Sequence, residues 1–126
     1  MATHNDFGIS AEQLAADYLT ARGWTVLARN WRWHRRELDL VTRRGRTVAF
    51  VEVRARRATA HGHPFETISW RKRRDLALAA QAWIAAHGRA DDEYRFDAIA
   101  VVDPAGSRPH HCAAPAIEHL EDAWTL

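Results

Sequence analysis

The chain has 126 residues, of which 47% are hydrophobic and six are tryptophan, and its formal charge is only +2. This length and apolar content predict one folded domain over residues 1–126 and exclude a disordered, tail-like protein. Cys112 is the only cysteine, which excludes an intramolecular disulfide, and no apolar run approaches the roughly 20 residues that cross a bilayer. We therefore expect a cytoplasmic protein without a membrane partner.

The first predicted elements are a helix and a strand. Ser10 fits the cap of a helix that ends near Arg22, with Gly23 as its left-handed stop. Glu12 stands at the edge of the apolar stripe of this helix, and the simplest interpretation is a first-turn acid that complements the helix dipole. The β-branched and aromatic residues from Trp24 to Arg32 predict a strand.

Two segments of alternating character, Glu37 to Thr42 and Thr47 to Arg54, predict a hairpin with residues 43–46 as its loop. This loop length places Thr42 opposite Thr47. Four charged side chains then share one partly apolar face: Glu37, Asp39, Glu52 and Arg54. Because three convergent acids repel one another, a hard metal ion would compensate them. The residues leave open a simpler alternative, an exposed hairpin crossed by salt bridges.

A second helix is predicted from Trp70 to about His87, between a cap at Ser69 and a stop at Gly88. Four positive charges in its first turn oppose the helix dipole, so they favour phosphate or carboxylate binding over local stability. These are Arg71, Lys72, Arg73 and Arg74.

The last third of the chain predicts a strand from Tyr94 to Val102, inside the sheet because of its apolar run. Residues 109–119 predict an edge strand interrupted by Pro115, and Leu120 to Leu126 a closing turn. Four histidines fall in predicted loops or at this edge and are interpreted as surface residues rather than metal ligands: His61, His63, His110 and His111.

Basic residues are concentrated in the first three-fifths of the chain, and all except Lys72 are arginine. Such local stripes are expected for a nucleic-acid-binding surface. Arg35, Arg36 and the basic first turn of the second helix are therefore the candidates for nucleic-acid binding. Trp31 and Trp33 lie among these arginines, where stacking on unpaired bases is the alternative to a packing role.

The predicted elements follow the order helix, three strands, helix, strand. Glu12 is an acid on the first helix. With Glu37-Leu38-Asp39 on the second strand and Glu52-Val53-Arg54 on the third, this order resembles the PD-(D/E)XK nuclease superfamily. Within that superfamily the chain is similar to the small YraN-like proteins, relatives in fold of archaeal Holliday junction resolvases. Further matching segments are Arg71-Lys72, Arg95-Phe96-Asp97 and Ile117-Glu118-His119-Leu120.

This resemblance implies an α/β protein with a restriction-endonuclease-like core, in which helices flank a central mixed sheet and an extra edge strand can be added. It also implies site roles. Asp39 and Glu52 would be ligands of Mg²⁺ or Mn²⁺, Glu12 an auxiliary ligand, and Glu37 an outer or alternative one. By analogy with resolvases, it implies a homodimer.

Arg54 occupies the position where the family usually has a catalytic lysine, and Arg36 the position of a usual glycine. Arginine keeps its proton near neutral pH, so Arg54 can clamp a phosphate but cannot act as a general base. Lys72 would substitute for the missing lysine if the second helix approaches the hairpin.

The leading expectation is a nucleic-acid-binding protein and metal-dependent endonuclease that acts on DNA, in particular on branched or other non-duplex DNA. One alternative is a catalytically degraded relative that binds nucleic acid or a protein without cleaving. Another is an interaction module whose basic helix docks on an acidic protein. Nucleic-acid affinity should fall steeply with added salt, which separates the last alternative from the others.

Overall fold

The computed structural model of the chain describes residues 3–57, 68–103 and 115–124, with side chains from residue 11 onward. The elements are α1 (Thr3–Ala21), β1 (Thr25–Trp33), β2 (Arg36–Arg44), β3 (Thr47–Arg57), α2 (Trp70–His87), β4 (Glu93–Asp103) and β5 (Ala116–Trp124). Within these residues the strands form one five-stranded sheet in the order β1-β2-β3-β4-β5. β3 and β4 are parallel and the other neighbours are antiparallel. This mixed sheet is consistent with the predicted restriction-endonuclease-like core, and β5 is the extra edge strand.

The two helices cover opposite faces of the sheet. Along β3, Val48 and Phe50 belong to the hydrophobic cluster of α2, whereas Ala49 and Val51 belong to the cluster of α1. This alternation follows from the two-residue period of a strand. The α2 side chains in the first cluster are the predicted packing face: Leu76, Ala79, Ala80 and Trp83. Neither helix in the described ranges is long and apolar enough to cross a membrane.

Helix α1 begins before the predicted cap. The helix runs from Thr3, so Ser10 lies inside it and the predicted start was wrong. The amides that a cap at Ser10 would satisfy are bonded within the helix instead. The predicted end is confirmed, because Gly23 has φ +91° and its N–H bonds to Thr20 O at 3.1 Å.

The hairpin between β2 and β3 is tighter than predicted. Thr47 pairs with Arg44 rather than Thr42, so the loop consists of Gly45 and Arg46 alone. Gly45 has φ +63°, which a two-residue hairpin turn requires. The predicted register was wrong by two residues. Because two is the period of a strand, the paired residues 40–44 and 47–51 keep their predicted faces. Beyond the ladder the alternation fails, because Leu38 packs in the α2 cluster whereas Leu40, expected on the same side, packs in the α1 cluster.

The chain after β4 differs from its prediction. β5 runs through Leu120, which was assigned to a closing turn, and Pro115 precedes the strand rather than interrupting it. Proline cannot donate to a ladder, but just before the first strand residue no such donation is needed. The surface assignment of the four loop histidines concerns residues outside the described ranges: His61, His63, His110 and His111.

Candidate functional site

Asp39 lies where β2 and β3 stop pairing. The ladder ends at Leu40 and Val51, and the next contact is made by a side chain. Asp39 Oδ2 accepts a hydrogen bond from the Val53 backbone N–H at 2.9 Å. This bond fixes the Asp39 carboxylate over β3, beside Glu52.

Asp39 and Glu52 form a partly buried carboxyl pair. Only 6% of the Glu52 side chain is exposed, and its carboxyl group hydrogen-bonds to that of Asp39. Burial, then the charge of Glu52 and this shared hydrogen bond, raise the pKa of Asp39 to about 7, although the Val53 N–H and Lys72 act in the opposite direction. The two acids that the sequence predicted as metal ligands are therefore in contact, and near neutral pH they require a proton or a cation between them.

Two cations approach the same oxygen of this pair. Lys72 Nζ and Arg54 Nη2 each lie 3.6 Å from Glu52 Oε2. The α2 cap positions the lysine, since Ser69 Oγ accepts the Lys72 backbone N–H at 3.1 Å and so fixes the first turn. The second helix does approach the hairpin, which was the condition for Lys72 to take the place of the missing lysine, because α2 brings Lys72 to Glu52.

Glu12 reaches the site from α1. Its pKa is raised by burial and by the charge of Asp39, and a hydrogen bond from Asn30 acts in the opposite direction. Asn30 has φ +49°, a left-handed conformation that asparagine tolerates. Because α1 starts at Thr3, Glu12 is not in its first turn, so the interpretation of Glu12 as a helix-dipole acid was wrong.

Glu37 is the most peripheral of the four acids. It raises the pKa of Glu12 by charge repulsion, and its own carboxylate lies 3.5 Å from Arg32 Nε. The Arg32 side chain is 77% exposed, so this ion pair is a weak restraint. Glu37 thus lies beside the site, as predicted, with its charge partly balanced from the surface.

The six basic candidates differ in exposure. Arg35, Arg71 and Arg74 are exposed. Arg36 Nε lies 3.2 Å from Asp75 Oδ1, and this bond ties the first residue of β2 to α2. The Arg73 guanidinium packs 5.9 Å from the Trp124 ring, and Lys72 lies at the acid pair. Three of the six basic candidates are therefore exposed, on α2 and on the turn before β2.

Sequence reasoning did not single out Trp70, which is 69% exposed, whereas Trp31 and Trp33 are half-buried. The sequence did contain a signal for the exposure of Trp70. The residues three and four positions after Trp70 are Arg73 and Arg74, so a helix start there offers this tryptophan no apolar neighbour on its own face.

A second group of polar side chains joins β4 and β5. Ligand atoms of Asp97, His119 and Glu121 lie within 4.8 Å of one another, so the group could hold a metal ion. Neither Asp97 nor His119 was assigned a catalytic or metal-binding role from the sequence. The strand patterns of the sequence do not reveal this group, because the register of β4 and β5 shifts between Phe96 and Ala98.

Arg95 already lies within this second group. Its guanidinium is 3.0 Å from both Asp97 Oδ1 and Glu121 Oε1, and His119 Nε2 is 2.7 Å from Asp97 Oδ2. Burial raises the pKa of Asp97, but the bonds from His119, the Asp122 N–H and Arg95 outweigh burial and lower it. A metal ion would have to displace the arginine that neutralises these acids.

The chain is similar to bacterial proteins over nearly its whole length. A UPF0102 protein of Renibacterium salmoninarum is 40% identical over 120 residues, which cover 95% of this chain and 97% of that protein. One of Stutzerimonas stutzeri is 46% identical over 105 residues, 82% of this chain and 88% of that protein. One of Rhodococcus jostii is 37% identical over 124 residues, 98% of this chain and all of that protein.

The sequence profile described as "Uncharacterised protein family UPF0102" matches residues 11–101. This span holds the acids of the site, Asp39, Glu52 and Glu12, together with Lys72. The chain therefore belongs to the UPF0102 family, which is the YraN family that its motifs resemble.

Proposed function

We propose that the chain is a nucleic-acid-binding protein and a Mg²⁺- or Mn²⁺-dependent endonuclease that acts on DNA, with branched or other non-duplex DNA as its substrate class. The observation that carries this proposal is the Asp39–Glu52 carboxyl pair with Lys72 at the same oxygen. Two partly buried acids in contact destabilise a fold, so their presence is better explained by a bound cation than by packing.

The residues fit a hard divalent cation. Asp39 and Glu52 would hold it, Glu12 would be an auxiliary ligand and Glu37 an outer one, and all four offer oxygen atoms. The pKa of Asp39, raised to about 7, indicates that the positive charges of the protein do not compensate the pair by themselves. When bound, Mg²⁺ or Mn²⁺ would polarise the scissile phosphate and lower the pKa of a water molecule.

The protein's own cations would act on the phosphate. Lys72 is close enough to Glu52 to hold a phosphate oxygen against the acid pair and to stabilise the negative charge that grows during cleavage. Arg54 offers a planar set of donors at the same carboxylate but keeps its proton, so it would bind phosphate without removing a proton from water.

The exposed arginines supply the binding surface. Arg35 in the turn before β2 and Arg71 and Arg74 on α2 are exposed, and the Arg36–Asp75 bond holds these two elements together. They lie beside the acid pair because Lys72, in the same helical turn as Arg71, contacts Glu52. A DNA backbone crossing this surface would pass over the acids.

A cleavage assay tests the proposal. Purified protein is incubated with single-stranded, duplex, flapped and four-way DNA in Mg²⁺, Mn²⁺ or chelator, beside the isosteric variants Asp39→Asn and Glu52→Gln. The exposed Glu118→Gln on β5 is the matched control. We expect metal-dependent cleavage that both site variants abolish and the control keeps. Cleavage that survives in both site variants would come from a contaminant and overturn the proposal.

Arg54 in the usual lysine position favours a second candidate function, a relative that binds nucleic acid without cutting it. This candidate predicts salt-sensitive DNA binding with no cleavage in any metal. Binding to acidic proteins alone, with no measurable affinity for DNA at low salt, would exclude both functions.

A further inference from the structure

The six tryptophans of the chain divide sharply by exposure. Trp24, Trp83 and Trp124 are 2%, 3% and 7% exposed and belong to the core. Trp31 and Trp33 are half-buried, whereas Trp70 is 69% exposed. Five indoles therefore contribute apolar area to folding, and Trp70 contributes little.

Trp70 lies on the outer side of α2. The helix packs on the sheet through Leu76, Ala79, Ala80 and Trp83, and at 100° per residue Trp70 and Arg74 fall away from that face. The Arg74 guanidinium lies 5.8 Å from the Trp70 ring, the one cation–π contact that the ring makes among the described residues. An exposed indole with a cation beside it suits a flat, electron-rich ligand attached to an anion.

The position of Trp70 relates it to the acid pair. It lies two residues before Lys72, about 3 Å along the helix axis but about 200° around it, so the ring is on the solvent side of the helical turn whose Lys72 Nζ is 3.6 Å from Glu52 Oε2. Arg71, between them, is exposed, as is Arg74 one turn later. The first turn of α2 thus carries an aromatic surface and two solvent-facing cations on its outer side, and Lys72 of the proposed cleavage site on its inner side.

We propose that Trp70 is a stacking platform for an unpaired nucleobase whose flanking phosphates are bound by Arg71 and Arg74. Bases inside a duplex are stacked on both sides and cannot reach an external ring, so this platform would select DNA with an unpaired strand next to the scissile phosphate. The inference rests on the proposed nucleic-acid-binding function and deepens it, because it names the strand geometry that the site recognises.

Equilibrium binding in chelator tests the platform without cleavage. Labelled single-stranded, flapped and blunt duplex DNA are titrated with wild type, Trp70→Ala and Trp70→Phe. The matched control is Leu27→Ala, an exposed apolar residue on β1 that is 42% exposed. Since stacking contributes about 1–3 kcal/mol per base, we expect Trp70→Ala to weaken single-strand and flap binding about 5- to 150-fold. Trp70→Phe should retain most of the affinity, and Leu27→Ala should match wild type.

Blunt duplex affinity should change less than about twofold in Trp70→Ala, because duplex binding would depend on phosphate contacts alone. An abasic site moved along the single strand adds a second test. At one position the abasic site should weaken DNA binding by wild type as much as Trp70→Ala does. It should not weaken DNA binding by the Trp70→Ala variant any further.

Equal effects of Trp70→Ala on single-stranded and duplex DNA, or no effect on either, would overturn the platform. Thermal melting of each variant shows whether it folds, and Trp70→Phe gives a second reading if the alanine variant does not. Failure of the platform differs from failure of the proposed function. Trp70-dependent binding without cleavage would refute only the endonuclease, whereas no DNA binding by wild type would refute both.

Discussion

Lys72 Nζ lies 3.6 Å from Glu52 Oε2, so α2 delivers the only lysine of the chain to the carboxyl group that contacts Asp39. Arg54, two residues after Glu52 on β3, lies at the same oxygen and at the same distance. Glu52 Oε2 is thus approached by an arginine from its own strand and by a lysine from the helix. This arrangement keeps an ammonium group beside the acids.

We expect Lys72→Ala to lower the cleavage rate about 100-fold, because it removes a charged donor from the proposed phosphate position. Arg73→Ala is the matched control, since Arg73 is the neighbouring cation and packs toward Trp124 instead of the acids. Single-turnover rates with saturating Mn²⁺ measure the difference. Equal losses in both variants would show that Lys72 contributes only general surface charge.

The free energy of unfolding should depend on pH through Asp39. Its pKa is about 7 in the folded chain and about 3.9 when unfolded, so between these values the folded state binds the extra proton. In chelator, the free energy of unfolding should therefore fall as pH rises from about 4 to 7, by at most about 1 kcal/mol per pH unit, and level off above 7. Urea unfolding at pH 5 and pH 8 measures this.

Asp39→Asn should flatten this dependence while keeping an oxygen for the Val53 N–H. The pKa values of Asp92 and Asp97 are lowered, so their stabilising contributions are lost only at lower pH and do not interfere. A wild-type stability that rises between pH 5 and pH 8, or an unchanged slope in Asp39→Asn, would contradict the prediction.

Metal binding should distinguish the two acidic groups of the chain. Titration calorimetry with Mn²⁺ at pH 8 should give binding that Asp39→Asn and Glu52→Gln abolish, because these acids lack full compensation within the protein. Glu121→Gln should bind Mn²⁺ as wild type does, because Arg95 already neutralises the second group. The reverse pattern would assign the metal to Asp97, His119 and Glu121.

Bound Mn²⁺ should also raise the melting temperature of wild type at pH 8, since a ligand that binds only the folded state stabilises it. The increase should disappear in Asp39→Asn and persist in Glu121→Gln. A shift of equal size in all three proteins would indicate nonspecific binding.

Gly88→Ala should destabilise the fold by about 1–3 kcal/mol through crowding. Gly88 has φ −65°, so its backbone does not need glycine, but an added Cβ would meet Tyr94 Oη and lie 2.7 Å from Ile84 O. Thermal or urea unfolding measures the loss. Adding Tyr94→Phe removes the hydroxyl and should recover part of it, whereas a neutral Gly88→Ala would show that Tyr94 moves aside without cost.

Local signals accounted for α2 but not for the hairpin. Ser69 caps the first turn of α2 as its sequence position indicates, and the helix ends before Gly88 as predicted, although Gly88 has φ −65° and not the left-handed conformation of a usual glycine stop. Arg43 and Arg44 resembled loop residues because they are charged. Arg43 is a strand residue whose guanidinium makes two hydrogen bonds to Asp92, at 2.7 and 2.9 Å, and this distant partner cannot be read from the local pattern.

The candidate site was predictable to the extent that strand alternation decides it. Asp39 and Glu52 stayed together despite the register error, because the error equalled one full strand period. The contact of Lys72 with Glu52 depends on how α2 packs, so the sequence could state it only as a condition. The second acidic group joins β4 to β5 across an irregular register between Phe96 and Ala98, which no local pattern predicts.

The separation of β2 from β3 at Asp39 gives this aspartate a structural role besides its proposed chemical one. Asp39 both belongs to the acid pair and accepts the Val53 N–H, so a mutation to an apolar residue would leave a backbone donor unsatisfied as well as damage the chemistry. Among the described contacts, the Lys72 side chain contacts Glu52 and does not bond a backbone group. A substitution of Lys72 would therefore remove a cation from the acid pair without leaving a backbone group unsatisfied, whereas an apolar substitution of Asp39 would also destabilise the start of the β2–β3 ladder.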